Sequence, residues 1–221
     1  MSEQPTDKET PPWPTGEPDD SEPTPERQAE LRAAYEANAR VGKPSYSGVV
    51  IETRGEVNWI VQERGWRRED GKTREQFIDF RRVGVHKAVL NDVDLSVANL
   101  SGAYIGNSNF SGAKLEVANL SDAFITGTNF SGAELYSANL SDAFIASTNC
   151  SGAKLYSANL SGAHVTGTNF SSAELAGANL SGATITGNLR HANLRQVRMD
   201  SATLLGVSLF GGTRWIGLHP V

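Results

Sequence analysis

The sequence predicts an all-β solenoid, a chain wound into a square coil, with a small α/β cap at its N-terminal end. Two observations predict the coil. Large apolar residues recur every five positions from Phe80 to Ile185, and whole blocks repeat every twenty, so that residues 118–137 and 138–157 are nearly identical. A period of five suits neither an α-helix nor a straight strand, because it places successive members on different faces. The chain must therefore bend once in each five residues, and four bends close one coil.

The acidic charge of the chain lies at one end. The 221 residues carry a net charge of −5, yet residues 1–30 hold nine acidic and two basic residues, whereas residues 85–221 hold eight and seven. A nearly neutral coil lacks the basic groove that nucleic acids bind, so we expect no direct contact with nucleic acid. No apolar stretch approaches the ~20 residues of a membrane helix and no export signal opens the chain, which predicts a cytoplasmic protein without membrane contact.

Two segments precede the coil. Residues 1–23 hold six of the nine prolines and many acidic residues, which predicts a flexible tail because this composition buries too little apolar surface to offset the entropy of ordering. Residues 24–76 are predicted to form a cap of helix, strand and helix. Thr24 can cap the first helix, and the sequence Thr53-Arg-Gly-Glu56 has the spacing of a capping box for the second.

Both ends of the coil are predicted to be covered, because an open end is an unpaired edge that invites association. Trp59 and Ile60 of the cap cover the N-terminal end in this prediction. Residues 211–221 lack the repeat and are predicted to lay Trp215 and Ile216 over the C-terminal end.

The predicted coil spans residues 77–210. Its register breaks once. Steps of five back from Leu209 reach Leu189, which lies four residues after Ile185 and not five, so one residue is missing between them. We expect a tightened corner there. Leu100, Leu120, Leu140, Leu160 and Leu180 form one inward column, and Phe110, Phe130, Cys150 and Phe170 form another.

Three blocks carry a resemblance to a known family: Ala98-Asn-Leu-Ser-Gly102, Ala118-Asn-Leu-Ser-Asp122 and Ala178-Asn-Leu-Ser-Gly182. They resemble the A(D/N)Lxx unit of the pentapeptide-repeat family, and the likeness covers about 60% of the chain. The resemblance implies a right-handed quadrilateral β-helix. It implies less about function, since members of the family do different things; those that protect against quinolones imitate DNA and bind gyrase or topoisomerase IV.

Residues twenty apart should stack into columns on the outside of the coil. One column alternates in charge, and we expect it to hold the register of the coils and not to bind ions. It consists of Asp94, Lys114, Glu134, Lys154 and Glu174. A second column is aromatic at first and consists of Tyr104, Phe124, Phe144, His164 and Thr184. Tyr136 and Tyr156 form a smaller pair on the neighbouring face.

The aromatic column is the candidate interaction surface. An apolar stripe on a rigid wall is expected to bind something. Three interpretations stay open: the N-terminal segment of the same chain docks there, a foreign partner or a second copy docks there, or the rings only stack in water.

We expect no catalytic, metal or cofactor site. Catalysis needs dissimilar groups that converge on one point, whereas a repeated coil spreads similar groups along parallel lines. The chain has one cysteine and no paired Cys or His at metal-ligand spacing. Cys150 takes the place of a phenylalanine, which predicts a buried, inert thiol beside a small packing gap.

These observations predict a non-catalytic scaffold, a rigid rod that presents its surface columns to a protein partner or to another copy. The alternative, from the resemblance, is a DNA mimic that binds gyrase or topoisomerase IV and protects it from quinolone-like poisons. The nearly neutral charge of the coil favours the scaffold.

Overall fold

A computed structural model describes residues 13–40, 46, 48–63 and 78–209 of the chain. Among these residues two helices and a short strand come first, and seven further strands follow. They are α1 (Pro25–Arg40), β1 (Val50–Thr53), α2 (Arg54–Glu63), β2 (Gly84–Val89), β3 (Tyr104–Gly106), β4 (Phe124–Thr126), β5 (Phe144–Ala146), β6 (His164–Asn169), β7 (Thr184–Asn188) and β8 (Thr203–Leu204). The predicted cover of the C-terminal end by Trp215 and Ile216 lies outside the described residues.

The strands form one parallel sheet in which each strand pairs with the next one along the chain. From β2 to β6 the register advances by one repeat of twenty per strand, as in the pairing of Tyr104 with Phe124. Isolated parallel bridges on the other sides of the coil, such as that between Lys114 and Glu134, keep the same spacing. The predicted solenoid is therefore confirmed as a parallel β-solenoid of about six coils.

Most bends of the coil are tight turns held by polar side chains. At one corner the Ala103 amide donates to the Leu100 carbonyl over 3.0 Å, and Gly102 between them has a φ of 64°. This is the geometry of a type II turn, whose third residue needs a positive φ. The Asn99 side-chain oxygen accepts a hydrogen bond of 3.1 Å from the Ser101 amide. The Asn-Leu-Ser-Gly sequence thus makes the bend that a period of five requires.

The central residues of the fives line the inside of the coil with apolar side chains. Every central residue of the fives from Phe80 to Ile185 is buried, which confirms the predicted inward columns. Each such side chain stabilises the fold by about 1.5 to 3 kcal/mol relative to exposure. Stacked asparagines tie the coils together from outside, since Asn139 Nδ2 donates to Asn119 Oδ1 over 3.1 Å and the coils on either side repeat the bond.

One corner of each regular coil is wider than the others. The chain stays extended over β3, as far as Gly106, and turns only at Asn107, which has a φ of 48°. The buried Ser108 hydroxyl donates to the Gly106 carbonyl over 2.9 Å, and Thr128 and Thr148 make the same contact in the next two coils. A tight turn bonds the carbonyl of the central residue, as at Leu100, whereas these hydroxyls reach the carbonyl of the residue that follows it. The strands β3, β4 and β5 therefore carry an outward residue on each side of the buried one.

The three elements of the cap are joined to one another by an arginine and a buried glutamate. Glu56 in the first turn of α2 is 4% exposed and accepts hydrogen bonds from Arg27 Nε at 2.6 Å and from the Glu52 amide at 2.7 Å. Arg27 also donates to the Val50 carbonyl over 2.6 Å, so α1, β1 and α2 meet at one ion pair. The Glu56 amide donates to the Thr53 hydroxyl over 3.1 Å, which confirms the predicted capping box.

Part of the predicted tail lies against the start of α2. The Gly55 amide donates to the Asp19 carbonyl over 2.7 Å, and Arg54 forms an ion pair with Asp20. A side chain at position 55 would meet the Ser21 carbonyl oxygen at 1.9 Å, so only glycine admits this approach. The sequence predicts a flexible segment as far as residue 23, and residues 19–21 instead make specific contacts there, because the free amides at a helix start attract oxygen atoms.

The register break occurs where the sequence predicts it. Val165 pairs with Ile185, twenty residues on, but Thr168 pairs with Gly187, nineteen residues on. Gly187 has a φ of 135°, and a side chain there would meet the Thr168 carbonyl oxygen at 2.1 Å. The Thr168 hydroxyl, which has no hydrogen-bond partner in this shortened coil, is buried beside the break.

We predict that Gly187→Ala lowers the free energy of unfolding by at least about 3 kcal/mol or prevents folding, because a methyl group cannot fit against the backbone. Gly167→Ala is the matched control. Gly167 has a φ of 60° but open space around it, so the cost should be the left-handed backbone alone, about 1 to 2 kcal/mol. Denaturant unfolding monitored by circular dichroism measures both changes; equal effects of the two substitutions would contradict the prediction.

Candidate functional site

The outer surface of the β1–β8 sheet, here called the aromatic face, carries a column of exposed rings. Tyr104, Phe124 and Phe144 are 65%, 44% and 37% exposed. The rings of Phe124 and Phe144 stack at a centroid distance of 4.7 Å with 7° between their planes, and Tyr104 lies 6.3 Å from Phe124. His164 continues this first column beside Phe144, and Thr184 follows it. The rings form a ridge that the sheet beneath keeps straight.

A second column of outward residues runs beside the ridge, on the other side of the buried central residues. It consists mainly of small residues: His86, Gly106, Thr126, Ala146 and Thr166. Because these side chains are much shorter than the rings, the second column forms a shallow groove parallel to the ridge. The wide corner produces this groove, since a tight turn would have removed the second outward position from the sheet.

Exposed apolar side chains concentrate on the aromatic face. Six large apolar residues are exposed in the described part of the chain, and five of them lie on this face. Besides the three rings, the other two are Val50 of β1, which pairs with Gly84, and Leu205, which directly follows Leu204, the residue of β8 that pairs with Ile185. Val117 is the sixth and lies on a corner elsewhere.

The groove opens into a hollow of about 190 Å³ near its N-terminal end. The hollow lies where Gly84 interrupts the first column, and where the His86 imidazole leans over Gly106 in the second, with Nδ1 3.0 Å from the position of a Cβ there. Tyr104 and Phe124 stand on one side of it, and His86 lines it above Gly106. Its volume suits one large side chain of a binding partner.

Two exposed carboxylates lie along the edge next to the ridge. Asp122 and Asp142 precede Phe124 and Phe144 by two residues and are stacked one coil apart. Both occupy the positive-φ position of a turn, with φ values of 56° and 58°. The ridge is therefore apolar along its length and acidic along one side of its centre.

The described N-terminal residues do not cover the aromatic column. β1 adds a strand to the end of the sheet, and α1 and α2 pack on the end of the coil. Trp59 and Ile60, predicted as end caps, are 6% and 0% exposed and belong to the same core as the first coils. This leaves the rings of the ridge open to solvent.

The other predicted columns form on the far side of the coil. Tyr136 and Tyr156 stack at 5.6 Å with 6° between their planes, and Lys154 lies 5.9 Å from the Tyr136 ring. Lys154 Nζ also pairs with Glu134 at 2.8 Å within the charged column. Lys114 and Glu174 continue this column by parallel bridges. These residues pair with one another, whereas the ridge is apolar.

The core contains the one thiol. Cys150 is 5% exposed, and burial raises the pKa of its thiol to about 12. It lines a cavity of about 20 Å³ between Phe130 and Phe170, the packing gap that its replacement of a phenylalanine predicts. Within the described ranges no three His, Cys, Asp or Glu side chains come together as metal ligands, and neither helix there is long and apolar enough to cross a bilayer.

The family comparison agrees with the repeat geometry. Eight copies of the model for pentapeptide repeats match residues 78–116, 117–146 and 148–187. The coil of this chain belongs to the pentapeptide-repeat family. No curated protein matches the chain.

Solved structures of pentapeptide-repeat proteins are similar to the chain. Rfr23 from the cyanobacterium Cyanothece 51142 is 35% identical over 44% of this chain and 64% of its own, with a TM-score of 0.30. HetL from Nostoc sp. strain PCC 7120, a protein involved in heterocyst differentiation regulation, is 24% identical over 65% and 90%, with a TM-score of 0.28. QnrB1, a plasmid-mediated fluoroquinolone resistance protein, is 20% identical over 62% and 86%, with a TM-score of 0.27.

Sequence reasoning found the ridge of this pentapeptide-repeat coil and missed the groove. The signal was present, because most fives have alanine two places before the central residue, whereas one column has hydroxyl residues there instead. These are Ser108, Thr128, Thr148 and Thr168. A hydroxyl at an inward position bonds the carbonyl two residues before it in three successive coils, and so marks the side of the coil that stays extended.

We predict that the Cys150 thiol makes stability depend on pH. The thiol loses its proton near its ordinary pKa of 9.0 in the unfolded chain and near 12 in the folded one. Its contribution is therefore complete below pH 9 and is lost as the pH rises towards 12. Between pH 8 and pH 10.5 the free energy of unfolding should fall by about 2 kcal/mol more for the unaltered chain than for Cys150→Ala. Urea unfolding at both pH values measures this, and parallel pH profiles would contradict it.

Proposed function

We propose that the chain is a non-catalytic interaction scaffold that binds protein through the aromatic face. The observation that carries the proposal is the concentration of exposed apolar side chains there, five of the six in the described residues. Soluble proteins rarely expose a contiguous apolar stripe without a use for it. Aromatic residues are also the side chains that most often dominate the energy of protein interfaces.

Rigidity supports the proposal. The stacked rings and the sheet beneath them are held by backbone bonds in every coil, for example from the Phe124 amide to the Ala103 carbonyl at 2.8 Å. A partner that covers Phe124 and Phe144 therefore orders nothing in this chain, and less of the binding energy is lost to entropy. The hollow beside Tyr104 adds a place for an anchoring side chain.

The alternative, imitation of DNA at gyrase or topoisomerase IV, has less support from the surface. A DNA mimic needs rows of like charge that match phosphates. The charged column alternates in sign and is partly neutralised by the ion pair between Glu134 and Lys154. Asp122 and Asp142 form a row of only two. Location in the cytoplasm, which the sequence predicts, stays a prediction.

A photo-crosslinking experiment tests the scaffold proposal. Phe124 is replaced by benzoylphenylalanine in the full chain, which is expressed in its native host and irradiated. We expect covalent protein adducts at position 124, because the ring there lies in the proposed interface. Benzoylphenylalanine at position 114, on the face across the coil, is the matched control. No adduct at position 124, or equal yields at both positions, would refute the proposal.

A further inference from the structure

The ridge and the groove of the aromatic face are complementary to each other. The ridge of rings and the groove of small residues run side by side, both parallel to the coil axis and both outward from the same strands. We propose that the partner of this face is a second copy of the chain. The two solenoids then lie side by side with their axes parallel and their aromatic faces in contact, related by a two-fold axis parallel to both solenoid axes. This inference rests on the proposed function and names its partner.

The direction of the axis follows from the two columns. A two-fold axis that lies in the interface, parallel to the solenoid axes, exchanges the left and right positions of the two columns and leaves the height of each residue along the axis unchanged. It therefore lays the ridge of each copy into the groove of the other, with Phe144 over Ala146 at the same coil. Such an interface is isologous and closes at two copies.

An antiparallel pair fits less well. A two-fold axis that lies in the interface, perpendicular to the solenoid axes, leaves the left and right positions of the columns unchanged and reverses the order of the residues along the axis. The ridge of one copy then meets the ridge of the other. The rings of Phe124 and Phe144 would then stand against the same rings of the second copy and hold the two sheets apart. Both grooves would stay empty, which forfeits the dispersion contacts that make an interface tight.

The hollow identifies one contact in the parallel pair. Tyr104 is the most exposed ring at 65%, and Gly106 is the residue without a side chain in the second column. The axis places Tyr104 of each copy over Gly106 of the other, in the hollow of about 190 Å³. His86 and Thr126 lie above and below Gly106 in that column and offer a ring nitrogen and a hydroxyl to the phenol.

Charge is compatible with this arrangement except at one end. The acidic edge with Asp122 and Asp142 faces the opposite edge of the second copy, where Gly127 and Ser147 are uncharged. At the first coil the exposed Arg82 precedes β2 and the exposed Lys87 lies within β2, after the second column, so each arginine lies opposite a lysine of the other copy. Added salt screens such like charges, so the pair should become tighter as ionic strength rises.

The area of the face limits the affinity. Eight strands about 4.8 Å apart and a width near 12 Å give roughly 400 Å² on each copy. A standard interface covers about 800 Å² per partner, so we expect a weak, reversible dimer. The state should therefore change with protein concentration over the micromolar range.

Sedimentation velocity of the full chain over a range of concentrations tests the dimer. We expect the mass to approach twice that of one chain, and Tyr104→Ala or Gly106→Lys to leave a monomer of unchanged circular dichroism at the same concentration. Tyr156→Ala is the matched control, since it removes an aromatic ring from another face, and should dimerise as the unaltered chain does. A monomer at every concentration, or a dimer that neither substitution weakens, would overturn the proposal.

Disulfide trapping tests the geometry. Chains with Phe144→Cys mixed with chains with Ala146→Cys should form mixed disulfides much faster than Phe144→Cys alone or than a mixture with Lys114→Cys. The buried Cys150 does not compete. Equal rates in all three mixtures would overturn the parallel arrangement. If the dimer fails while benzoylphenylalanine at position 124 captures a protein of a different mass, the scaffold proposal stands and only the second copy is excluded as its partner.

Discussion

The structure depends on the turn that follows the central residue of most fives. In that turn the second residue after the central one has a positive φ. The amide of the third residue donates to the central carbonyl and closes the bend, as the Ala103 amide does to the Leu100 carbonyl. Only then can the amides of one coil reach the carbonyls of the next, and only then does every fifth side chain point inward. Packing and the amide ladders follow from this backbone geometry. The turn is strong enough to force Val117, a β-branched residue, to a φ of 58°.

The surface proposed to bind protein arises where this turn is replaced. On one side of the coil the chain stays extended past the central residue, and a buried hydroxyl such as that of Ser108 donates to the carbonyl of the residue after the central one, Gly106. The same change that alters the hydrogen bonding adds an outward position, and so turns a row of corners into a flat sheet. The corner that carries a buried hydroxyl is therefore also the corner whose outer surface has the groove.

The sequence predicts the parts of the structure that repeat. The inward columns and the break near Gly187 follow from spacing, because a repeated local geometry needs the same residues each time. The capping box at Thr53 is not part of the repeat, but a short local motif predicts it. The sequence predicts less where unlike segments meet. The approach of Asp19 to Gly55 depends on a helix end and a distant loop, and the ion pair of Arg27 with Glu56 joins residues from two elements. No periodic signal encodes such contacts. The hollow at Gly106 depends on neighbours one coil away on either side, which a single five does not reveal.

A perfectly regular ladder would be a poor binding surface, because a partner could slide along it by one coil and meet the same chemistry about 4.8 Å further on. Departures from the repeat are what give one position an advantage. On the aromatic face these are Gly84 and Gly106, which line the hollow, the pair of carboxylates at Asp122 and Asp142, and the change from rings to His164 and then Thr184 along the ridge. Each of them breaks the symmetry along the axis at a different height. Their combination defines a single register, and specificity in a solenoid therefore resides in the residues that deviate from its repeat.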